Sequence, residues 1–368
     1  MARPAMTFSA EDHAFMSRAL ALAARGRDTA TPNPSVGCVI AKGGRIVGEG
    51  WHARAGEPHA EARALAAAGA GAEGATAYVT LEPCSHHGRT PPCADALVAA
   101  RLARVVAAVE DPNPQVKGQG AARLRAAGIL VDVGLMAAGA EEIHRGFLTR
   151  MRTGRPWMRI KAAASLDGRI ALANGASRWI TSEAARRDVH ALRARSCAML
   201  TGIGTVRHDD PELTVRHVPC TRQPRRVVID HHLDLPPTAK ILSGEPPLVL
   251  AVTDDPARRA ALEARGAEVA IVPGEGRKAD LAAVARLLAE RGFNEVTVET
   301  GGKLMGSLLA ARVVDELVIY CAPTILGDSA QGLFALPEIA SLEEALRPRI
   351  VDVRAVGSDW RVTARFGA

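Results

Sequence analysis

Residues 79–97 read VTLEPCSHHGRTPPCADAL, which predicts a strand, a loop and the start of a helix. Two thiols lie in this stretch, Cys84 and Cys93, with eight residues between them. Such a pair is compatible with a disulfide, a metal site, a nucleophile or two inert thiols. The rest of the sequence is needed to decide between these interpretations.

Composition argues against the disulfide. The chain has 368 residues, 48% of them apolar and 23% charged, which is typical of a globular protein with about two domains. No stretch resembles a signal peptide or reaches the roughly 20 apolar residues of a membrane span. We therefore expect no membrane partner and a cytoplasmic location, where structural disulfides are rare.

Charge restricts the choice of partners. The net charge of +6 is mildly basic and suits a phosphorylated small-molecule substrate as well as a nucleic acid. The sequence has no lysine-rich tail and no stripe of basic and aromatic residues. We therefore expect a small-molecule substrate and no nucleic acid.

Helix-like and strand-like segments alternate along both halves, which predicts an α/β protein with sheets covered by helices. In the first half, a helix is predicted between Ser9 and Gly26, and residues 36–51 predict a hairpin. In the second half, residues 197–204 predict a strand, and the last predicted element is a strand at 315–323. The segment RMRTGRPW at 150–157 interrupts the pattern, so we place two domains at residues 1–150 and 151–368.

His59 and Glu61 lie two residues apart at a predicted helix start, in the segment PHAEARAL. Within a helix such side chains point about 200° apart, so the two can share a site only beyond the helix end. Together with Cys84 and Cys93, His59 forms a ligand set that suits zinc and leaves one coordination position for water. Glu61 would then carry protons, as in zinc deaminases, whose pattern is H-x-E followed by P-C-x-x-C.

The spacing departs from that pattern because eight residues, rather than two, separate the cysteines. The inserted residues predict a protruding loop, in which His86, His87 and Arg89 either contact the substrate or are solvated. A non-enzymatic zinc module is one alternative, with His86 or His87 as a fourth ligand. A nucleic-acid base deaminase is another, although it usually has the short cysteine spacing.

The segments TPNPSVGCVI, GWH, HAEARAL and VTLEPCSHHGRTPPC resemble the deaminase half of the bifunctional riboflavin biosynthesis deaminase/reductase family. The long loop distinguishes that family from cytidine and tRNA-adenosine deaminases. The resemblance implies a cytidine-deaminase-like α/β/α sandwich. The site residues it implies are the zinc ligands His59, Cys84 and Cys93, the catalytic proton shuttle Glu61, and the substrate contacts Asn33 and His52. Asn33 also fits an ordinary turn beside Pro34.

The second half contains two glycine pairs that follow predicted strands. Gly301 and Gly302 precede a predicted helix, whose first N–H groups are suited to bind a phosphate. Gly202 and Gly204 follow the strand predicted at 197–204. Neither pair matches the G-x-G-x-x-G pattern of dinucleotide-binding domains, so tight turns remain an equal interpretation.

The segments KAAASLDGRIA, SRWITSEAARRDVHALRA, DDPELTVR and VETGGKL resemble the reductase half of the same family. This resemblance implies a dihydrofolate-reductase-like α/β domain that uses NADPH. The cofactor contacts it implies are Ala163, Trp179, Thr205, Asp209, Gly301, Gly302, Lys303, Leu304, Met305, Gly306 and Ser307. The substrate contacts it implies are Ser177, Arg193, Leu213, Arg216 and Glu299. Family members often have a small hydroxyl residue near the cofactor where this chain has His231, so that contact is not transferred.

The resemblance implies two consecutive reactions of riboflavin biosynthesis. The first is the zinc-dependent deamination of 2,5-diamino-6-ribosylamino-4(3H)-pyrimidinone 5′-phosphate. The second is the reduction by NADPH of the ribosyl group of 5-amino-6-(5-phosphoribosylamino)uracil to a ribityl group, with Arg193 and Arg216 holding the 5′-phosphate. An enzyme of this kind is also expected to form homo-oligomers.

Overall fold

The computed structural model describes residues 7–86, 91–276 and 278–367. The chain divides into two units, Met1–Gly154 and Arg155–Ala368. Within the described ranges, no helix combines the length and the apolar character that crossing a membrane requires.

The first unit alternates helices and strands. Its helices are α1 (Ala10–Arg25), α2 (Ala60–Ala68), α3 (Cys93–Ala99), α4 (Gln119–Ala126) and α5 (Ala137–Thr153), with a short 3-10 helix at Gly69–Ala72. Its strands are β1 (Gly37–Lys42), β2 (Arg45–Trp51), β3 (Thr76–Val79), β4 (Arg104–Ala107) and β5 (Leu130–Val133). The described strands form one sheet in the order β2-β1-β3-β4-β5, antiparallel on either side of β1 and parallel from β3 to β5. The predicted helix after Ser9 and the predicted hairpin are both confirmed.

Alternating side chains of the strands divide the first unit into three layers. On β1, Cys38 and Ile40 belong to a buried cluster with apolar residues of α2, α3 and α4. Val39 and Ala41, which point to the opposite face, belong to a cluster with α1 and α5. Because successive strand residues face opposite sides, helices pack on both faces of this one sheet. The α/β/α sandwich implied by the resemblance is confirmed.

The second unit is larger. Its helices are α6 (Glu183–Arg195), α7 (Ile203–Asp209), α8 (Pro256–Glu263), α9 (Leu281–Glu290) and α10 (Gly302–Ala310), with a 3-10 helix at Lys240–Leu242. Its strands are β6 (Trp157–Ser165), β7 (Arg169–Ala171), β8 (Ala198–Gly202), β9 (Arg225–Ile229), β10 (Leu248–Ala251), β11 (Glu268–Ile271), β12 (Gly274–Glu275), β13 (Lys278–Ala279), β14 (Glu295–Val298), β15 (Glu316–Ala322), β16 (Gln331–Gly332), β17 (Arg349–Val356) and β18 (Asp359–Arg365).

In the part of this unit that the structure describes, nine strands form a sheet in the order β11-β10-β9-β8-β14-β6-β15-β18-β17. The strands from β11 to β15 are parallel, and β18 and β17 are antiparallel additions at one edge. The carboxyl ends of β8, β14 and β6 therefore lie side by side. Ligand sites of open α/β sheets form at such an edge.

Among the features of this unit that differ from the sequence prediction, two concern the strands of the large sheet. The strand predicted at 197–204 ends at Gly202, and α7 begins at Ile203, so Gly204 lies in a helix rather than a turn. The hairpin of β17 and β18 has no counterpart in the prediction. Its register shifts between Ile350 and Asp352, and such a bulge breaks the period of two by which strands are recognised.

Helix α2, which begins beside His59, packs very closely on β2. A Cβ atom added to Gly48 would lie 2.2 Å from the carbonyl oxygen of Ala64, and one added to Gly50 would lie 2.7 Å from that of Ala60. Both neighbours are backbone atoms, which have no alternative rotamer. The two glycines therefore set how near α2 can approach the sheet.

We expect Gly48→Ala to lower the free energy of unfolding of the first unit by about 1–3 kcal/mol, because the added methyl group must push α2 away from β2. Urea unfolding of the purified protein measures this change. Gly71→Ala is the matched control, since a Cβ there would lie 3.5 Å from Val47 at an ordinary contact distance. Equal stability of the two variants would contradict the close packing of α2.

Candidate active sites

His59, Cys84 and Cys93 converge in the first unit. His59 immediately precedes α2, Cys93 is the first residue of α3, and Cys84 lies in the loop after β3. The Nδ1 atom of His59 lies 3.3 Å from Sγ of Cys93 and 3.6 Å from Sγ of Cys84. All three donor atoms lie within 4.8 Å of one another, and the two cysteines form no disulfide.

These distances fit a zinc ion. Tetrahedral zinc binds sulfur at about 2.3 Å and nitrogen at about 2.0 Å, which places neighbouring donors roughly 3.5 Å apart. Hydrogen bonds from the Cys93 thiol and from His59 lower the pKa of Cys84, which favours the thiolate form that binds a metal. No fourth histidine, cysteine or carboxylate joins the group among the described residues. A coordination position is thus left for water, as in catalytic zinc sites.

Glu61 is the second residue of α2, and its buried side chain contacts the Cys93 thiol. Burial, together with the negative charge of Cys84, raises the pKa of Glu61 to about 7. A carboxyl group with this pKa both accepts and releases a proton near neutral pH. The helix start thus places His59 and Glu61, the predicted zinc ligand and proton carrier, on the same side.

Asn33 and His52 lie next to the zinc ligands. Nδ2 of Asn33 donates to Nε2 of His52 over 3.1 Å, and Nδ1 of His52 lies 3.4 Å from the carbonyl oxygen of Pro58. The carbonyl can only accept, so the ring proton lies on Nδ1. The ring of His52 also packs edge-on against that of His59, with 5.1 Å between the centroids. Substrate contact by Asn33 and His52 stays a prediction.

Glu82 anchors the segment that carries Cys84, a role that was not predicted from the sequence. Its buried carboxylate accepts hydrogen bonds from the N–H groups of Asp111 at 3.2 Å, Gly118 at 3.0 Å and Ala121 at 3.0 Å. Gly118 and Ala121 belong to the start of α4, where N–H groups have no partner within the helix and where negative charge is favoured. Glu82 therefore holds the chain two residues before Cys84 against this helix end.

Gly120 makes that attachment possible. A Cβ atom at this position would lie 1.9 Å from the carbonyl oxygen of Pro83. Glu82 and Gly120 each have a local signal in the sequence. Glu82 is a charged residue directly after an apolar strand, and Gly120 is the first residue of a predicted helix. Neither signal identifies its partner, because residues 82 and 120 are far apart in the chain.

The loop between the cysteines is described only in part. His87 and Arg89, for which substrate contacts were considered, lie outside the described residues. His86 is half-buried, and its Nδ1 atom has no hydrogen-bond partner among the described residues. Substrate contact by His86 stays a prediction.

Glu299 is the centre of the candidate site in the second unit. It follows β14, and its carboxylate binds Nε and Nη2 of Arg193 at 2.6 and 2.9 Å and Nζ of Lys161 at 3.3 Å. Burial disfavours the carboxylate, but the charges of Arg193 and Lys161 outweigh burial and hold the pKa of Glu299 well below its usual range. Two cations and one anion leave this group with a net positive charge, which suits a phosphorylated substrate.

Lys161 was not predicted from the sequence. Its signal is a lysine within the mostly apolar strand segment MRIKAAAS, where a charge needs a partner. Only the pairing of β6 with β14 brings that partner, Glu299, next to it.

Several predicted cofactor contacts lie together at the carboxyl ends of β8 and β14. The hydroxyl of Thr205, in the first turn of α7, lies 3.1 Å from that of Thr300 and accepts from the N–H of Gly301 over 3.2 Å. Gly301 is the residue before α10, and Gly302 begins the helix. The unpaired N–H groups of this helix start are suited to bind a cofactor phosphate.

Ser177 and Trp179 lie in a loop that reaches Asp209. Nη2 of Arg178, between them, donates to the carbonyl oxygen of Asp209 over 2.6 Å. The ring of Trp179 is 70% exposed, and the guanidinium of Arg186 lies 4.5 Å from its centre. The guanidinium of Arg178 lies 6.0 Å from the centre of the same ring. An indole this exposed is suited to stack on a planar ligand.

Other predicted contacts are less accessible. The side chains of Leu213 and Met305 are buried in hydrophobic clusters, and a Cβ at Gly306 would lie 2.1 Å from a backbone oxygen. Ala163 lies within β6, and Lys303, Leu304 and Ser307 lie in the first turns of α10. At Leu213, Met305 and Gly306, a ligand would therefore contact the backbone rather than a side chain. His231 follows β9 and packs against His232, with 6.4 Å between ring centroids.

Two family models match the chain, one in each unit. The model of the cytidine and deoxycytidylate deaminase zinc-binding region matches residues 9–109. The model of the RibD C-terminal domain matches residues 156–362.

Curated relatives match almost the whole chain. The riboflavin biosynthesis protein RibD of Escherichia coli (strain K12) is 50% identical over 361 residues, which cover 95% of this chain and 98% of the relative. The chain belongs to the RibD family. RibD of Haemophilus influenzae is 47% identical, with 97% and 98% of the two chains covered.

Solved structures of RibD proteins share the fold. The structure of RibD from Acinetobacter baumannii superimposes with a TM-score of 0.90 and 42% identity, covering 96% of this chain and 98% of that one. A Thermotoga maritima protein, described as a diaminohydroxyphosphoribosylaminopyrimidine deaminase/5-amino-6-(5-phosphoribosylamino)uracil reductase, has a TM-score of 0.84 and 32% identity over the same shares.

Membership in the RibD family establishes the general activity. The chain is a bifunctional deaminase/reductase of riboflavin biosynthesis, with a zinc-binding deaminase domain and an NADPH-dependent reductase domain. This excludes the two alternatives, a nucleic-acid base deaminase and a non-enzymatic zinc module.

Replacing Glu82 with glutamine is expected to weaken zinc binding about 10-fold, as for partners that orient metal ligands. In the wild type, three backbone N–H groups donate to the two carboxylate oxygens of Glu82. In the glutamine variant an NH2 group replaces one of these oxygens, so at least one N–H group loses its acceptor. Competition with a chelator, followed by zinc determination, measures the affinity. Glu110→Gln, at an exposed position, is the control, and equal zinc affinity in both variants would refute the anchoring role of Glu82.

Proposed function

We propose that the first unit deaminates 2,5-diamino-6-ribosylamino-4(3H)-pyrimidinone 5′-phosphate and that the second unit reduces the ribosyl group of the product. The description of the Thermotoga maritima relative supports these substrates. The observation that carries the deaminase assignment is the group of His59, Cys84 and Cys93 beside a buried carboxyl group that is not part of it.

In the deaminase site, His59, Cys84 and Cys93 would hold the zinc, which supplies a water of lowered pKa when bound. Glu61 takes a proton from the attacking water at its carboxylate and delivers it to the amino group at C2, which leaves as ammonia. Asn33 and His52 hold the pyrimidine ring against the site. Their mutual hydrogen bond fixes the Asn33 amide, so that its Oδ1 atom is presented as an acceptor.

We expect Glu61→Gln to reduce ammonia release by about 10²–10⁴-fold, because glutamine cannot carry the proton. Zinc content should stay at the wild-type level, since Glu61 is not a ligand. Oxidation of NADPH should also be unchanged when the deaminated intermediate is supplied. Wild-type ammonia release would disprove the role of Glu61, and loss of both activities would argue against separate sites.

In the reductase site, NADPH supplies a hydride to C1′ of the sugar when bound. Thr205, Gly301 and the start of α10 bind its phosphates, and Trp179 stacks on a ring of the cofactor. Arg193 already has all three of its nitrogens in internal hydrogen bonds, to Glu299 and to the carbonyl oxygen of Thr214. We therefore assign the 5′-phosphate of the substrate to Arg216, which is half exposed.

Arg216→Gln is expected to raise the KM for the phosphorylated intermediate by about 10-fold or more, which corresponds to the loss of one charge-assisted hydrogen bond. The KM for NADPH and the rate of ammonia release should change less than twofold. Steady-state NADPH oxidation and an ammonia assay measure these values. Arg312→Gln, an exposed arginine after α10, is a control for the loss of positive charge.

We further propose that the enzyme works as a homo-oligomer in the cytoplasm. The outer hairpin of the large sheet supports self-association, because Ile350, Val353 and Trp360 are each more than half exposed there. Light scattering of the purified protein tests this assignment, and a monomeric mass at micromolar concentration would refute it.

A further inference from the structure

The segment from Leu213 to His217 has no regular secondary structure, yet side chains from elsewhere bind its backbone. The carbonyl oxygen of Thr214 accepts from Nη1 of Arg193 at 3.0 Å. Val215 both donates to Oε1 of Gln223 at 2.7 Å and accepts from its Nε2 at 3.2 Å. Side chains thus supply the hydrogen bonds that a neighbouring strand would otherwise provide.

The third backbone contact comes from His190. The N–H of Arg216 donates to Nδ1 of His190 over 2.9 Å. The ring of His190 is buried and packs edge-on against His217, with 4.9 Å between centroids. Because Nδ1 accepts, the ring proton lies on Nε2. Burial and the charges of Arg193 and Arg216 lower the pKa of His190 to about 4, so the acceptor persists at neutral pH.

Helix α6 provides a rigid base for these contacts. His190 and Arg193 lie three residues apart, on one face of the helix, and Val189 and Leu192 pack against β15 in a buried cluster. The segment they hold needs such support, because Leu213 and His217 have φ values of +52° and +63°. Residues with a side chain rarely adopt this left-handed conformation without external contacts.

The guanidinium of Arg216 is aimed outward by this arrangement. Its Nη1 atom donates to Oε2 of Glu212 at 2.5 Å and to Oγ1 of Thr214 at 2.8 Å. Within the described ranges, Nε and Nη2 of Arg216 make no hydrogen bond. Their N–H groups therefore remain available to a ligand. Arginine donors in this planar arrangement match the oxygens of a phosphate.

We propose that His190 is a positioning residue of the reductase, which holds the backbone of Arg216 so that its guanidinium faces the 5′-phosphate of the substrate. This inference rests on the proposed assignment of the phosphate to Arg216. His190 does not touch the substrate. It acts through the N–H of Arg216, as Gln223 acts through Val215.

Two variants of the full-length protein with similar side-chain shapes test this role. Leucine fills the place of the ring near Nδ1 but has no acceptor, whereas Oδ1 of asparagine takes the place of Nδ1. We expect His190→Leu to raise the KM for the phosphorylated intermediate about 10-fold. We expect His190→Asn to stay within about threefold of the wild type, since it keeps an acceptor for the same N–H.

The dephosphorylated intermediate separates positioning from general damage. Without the phosphate, His190→Leu and the wild type should have the same KM, while the KM for NADPH and ammonia release stay unchanged. An equal rise of KM for both forms of the intermediate would indicate a merely structural role and overturn the proposal. The same conclusion would follow if His190→Asn were as impaired as His190→Leu.

The Arg216→Gln background shows whether His190 acts through Arg216. There, His190→Leu should have no further effect, because the donors it positions are already lost. If Arg216→Gln raises the KM and His190→Leu does not, the inference about His190 fails while the phosphate assignment stands. If Arg216→Gln has no effect, the phosphate assignment fails and the inference falls with it.

A second variant covers the case in which His190→Leu does not fold. Gln223→Glu keeps an acceptor for the N–H of Val215 but places a carboxylate oxygen against its carbonyl oxygen, at the 3.2 Å contact. We expect it to raise the same KM and to spare the dephosphorylated intermediate. A wild-type KM in this variant would overturn the proposal that side chains hold this segment for the phosphate.

Discussion

The proposed zinc ligands His59 and Cys93 lie at the amino-terminal ends of α2 and α3, and they meet only because both helices pack on the same face of one sheet. The residues next to them, Ala60 and Ala94, are fully buried in the core of that face. Their burial therefore sets the positions of the ligands, and the close packing of α2 on glycines of β2 is part of the metal site. Cys84 is held separately, through Glu82 at the start of α4. The starts of three helices therefore position the three donor atoms together.

In the second unit, ion pairs position the residues of the candidate site. Glu299 lies at the carboxyl end of a central parallel strand, where its buried carboxylate pairs with both Arg193 and Lys161. Arg193 in turn reaches the carbonyl of Thr214 in the segment that carries Arg216. Helix α10, whose start is assigned to the cofactor, begins three residues beyond Glu299. The carboxylate thus lies between the part of the site assigned to the cofactor and the part assigned to the phosphate.

Local patterns in the sequence predicted much of this. The helix after Ser9, the hairpin of β1 and β2 and the H-x-E pair at a helix start are local signals, and the structure confirms each of them. Residues that act over long separations were not predicted. Glu82, Lys161, His190 and Gln223 are ordinary in the sequence. The partners of Glu82 and Lys161 lie 29 or more residues away, and those of His190 and Gln223 lie in a segment without periodicity. The hairpin of β17 and β18 was missed because a bulge interrupts its alternation.

The sequence by itself determined the chemistry of the first site, since imidazole, thiolates and a spare carboxyl group at a helix start leave few alternatives to catalytic zinc. It also determined the family and hence both reactions. Only the tertiary structure distinguishes the two arginines on which the proposed phosphate assignment depends. Arg193 and Arg216 are the same residue type in the sequence, but Arg193 pairs with Glu299 inside the unit. Arg216 pairs with Glu212 at the surface, and its Nε and Nη2 make no hydrogen bond within the described residues. The reason is physical: burial and pairing determine whether a guanidinium stabilises its own protein or a ligand, and both depend on which strands and helices come together.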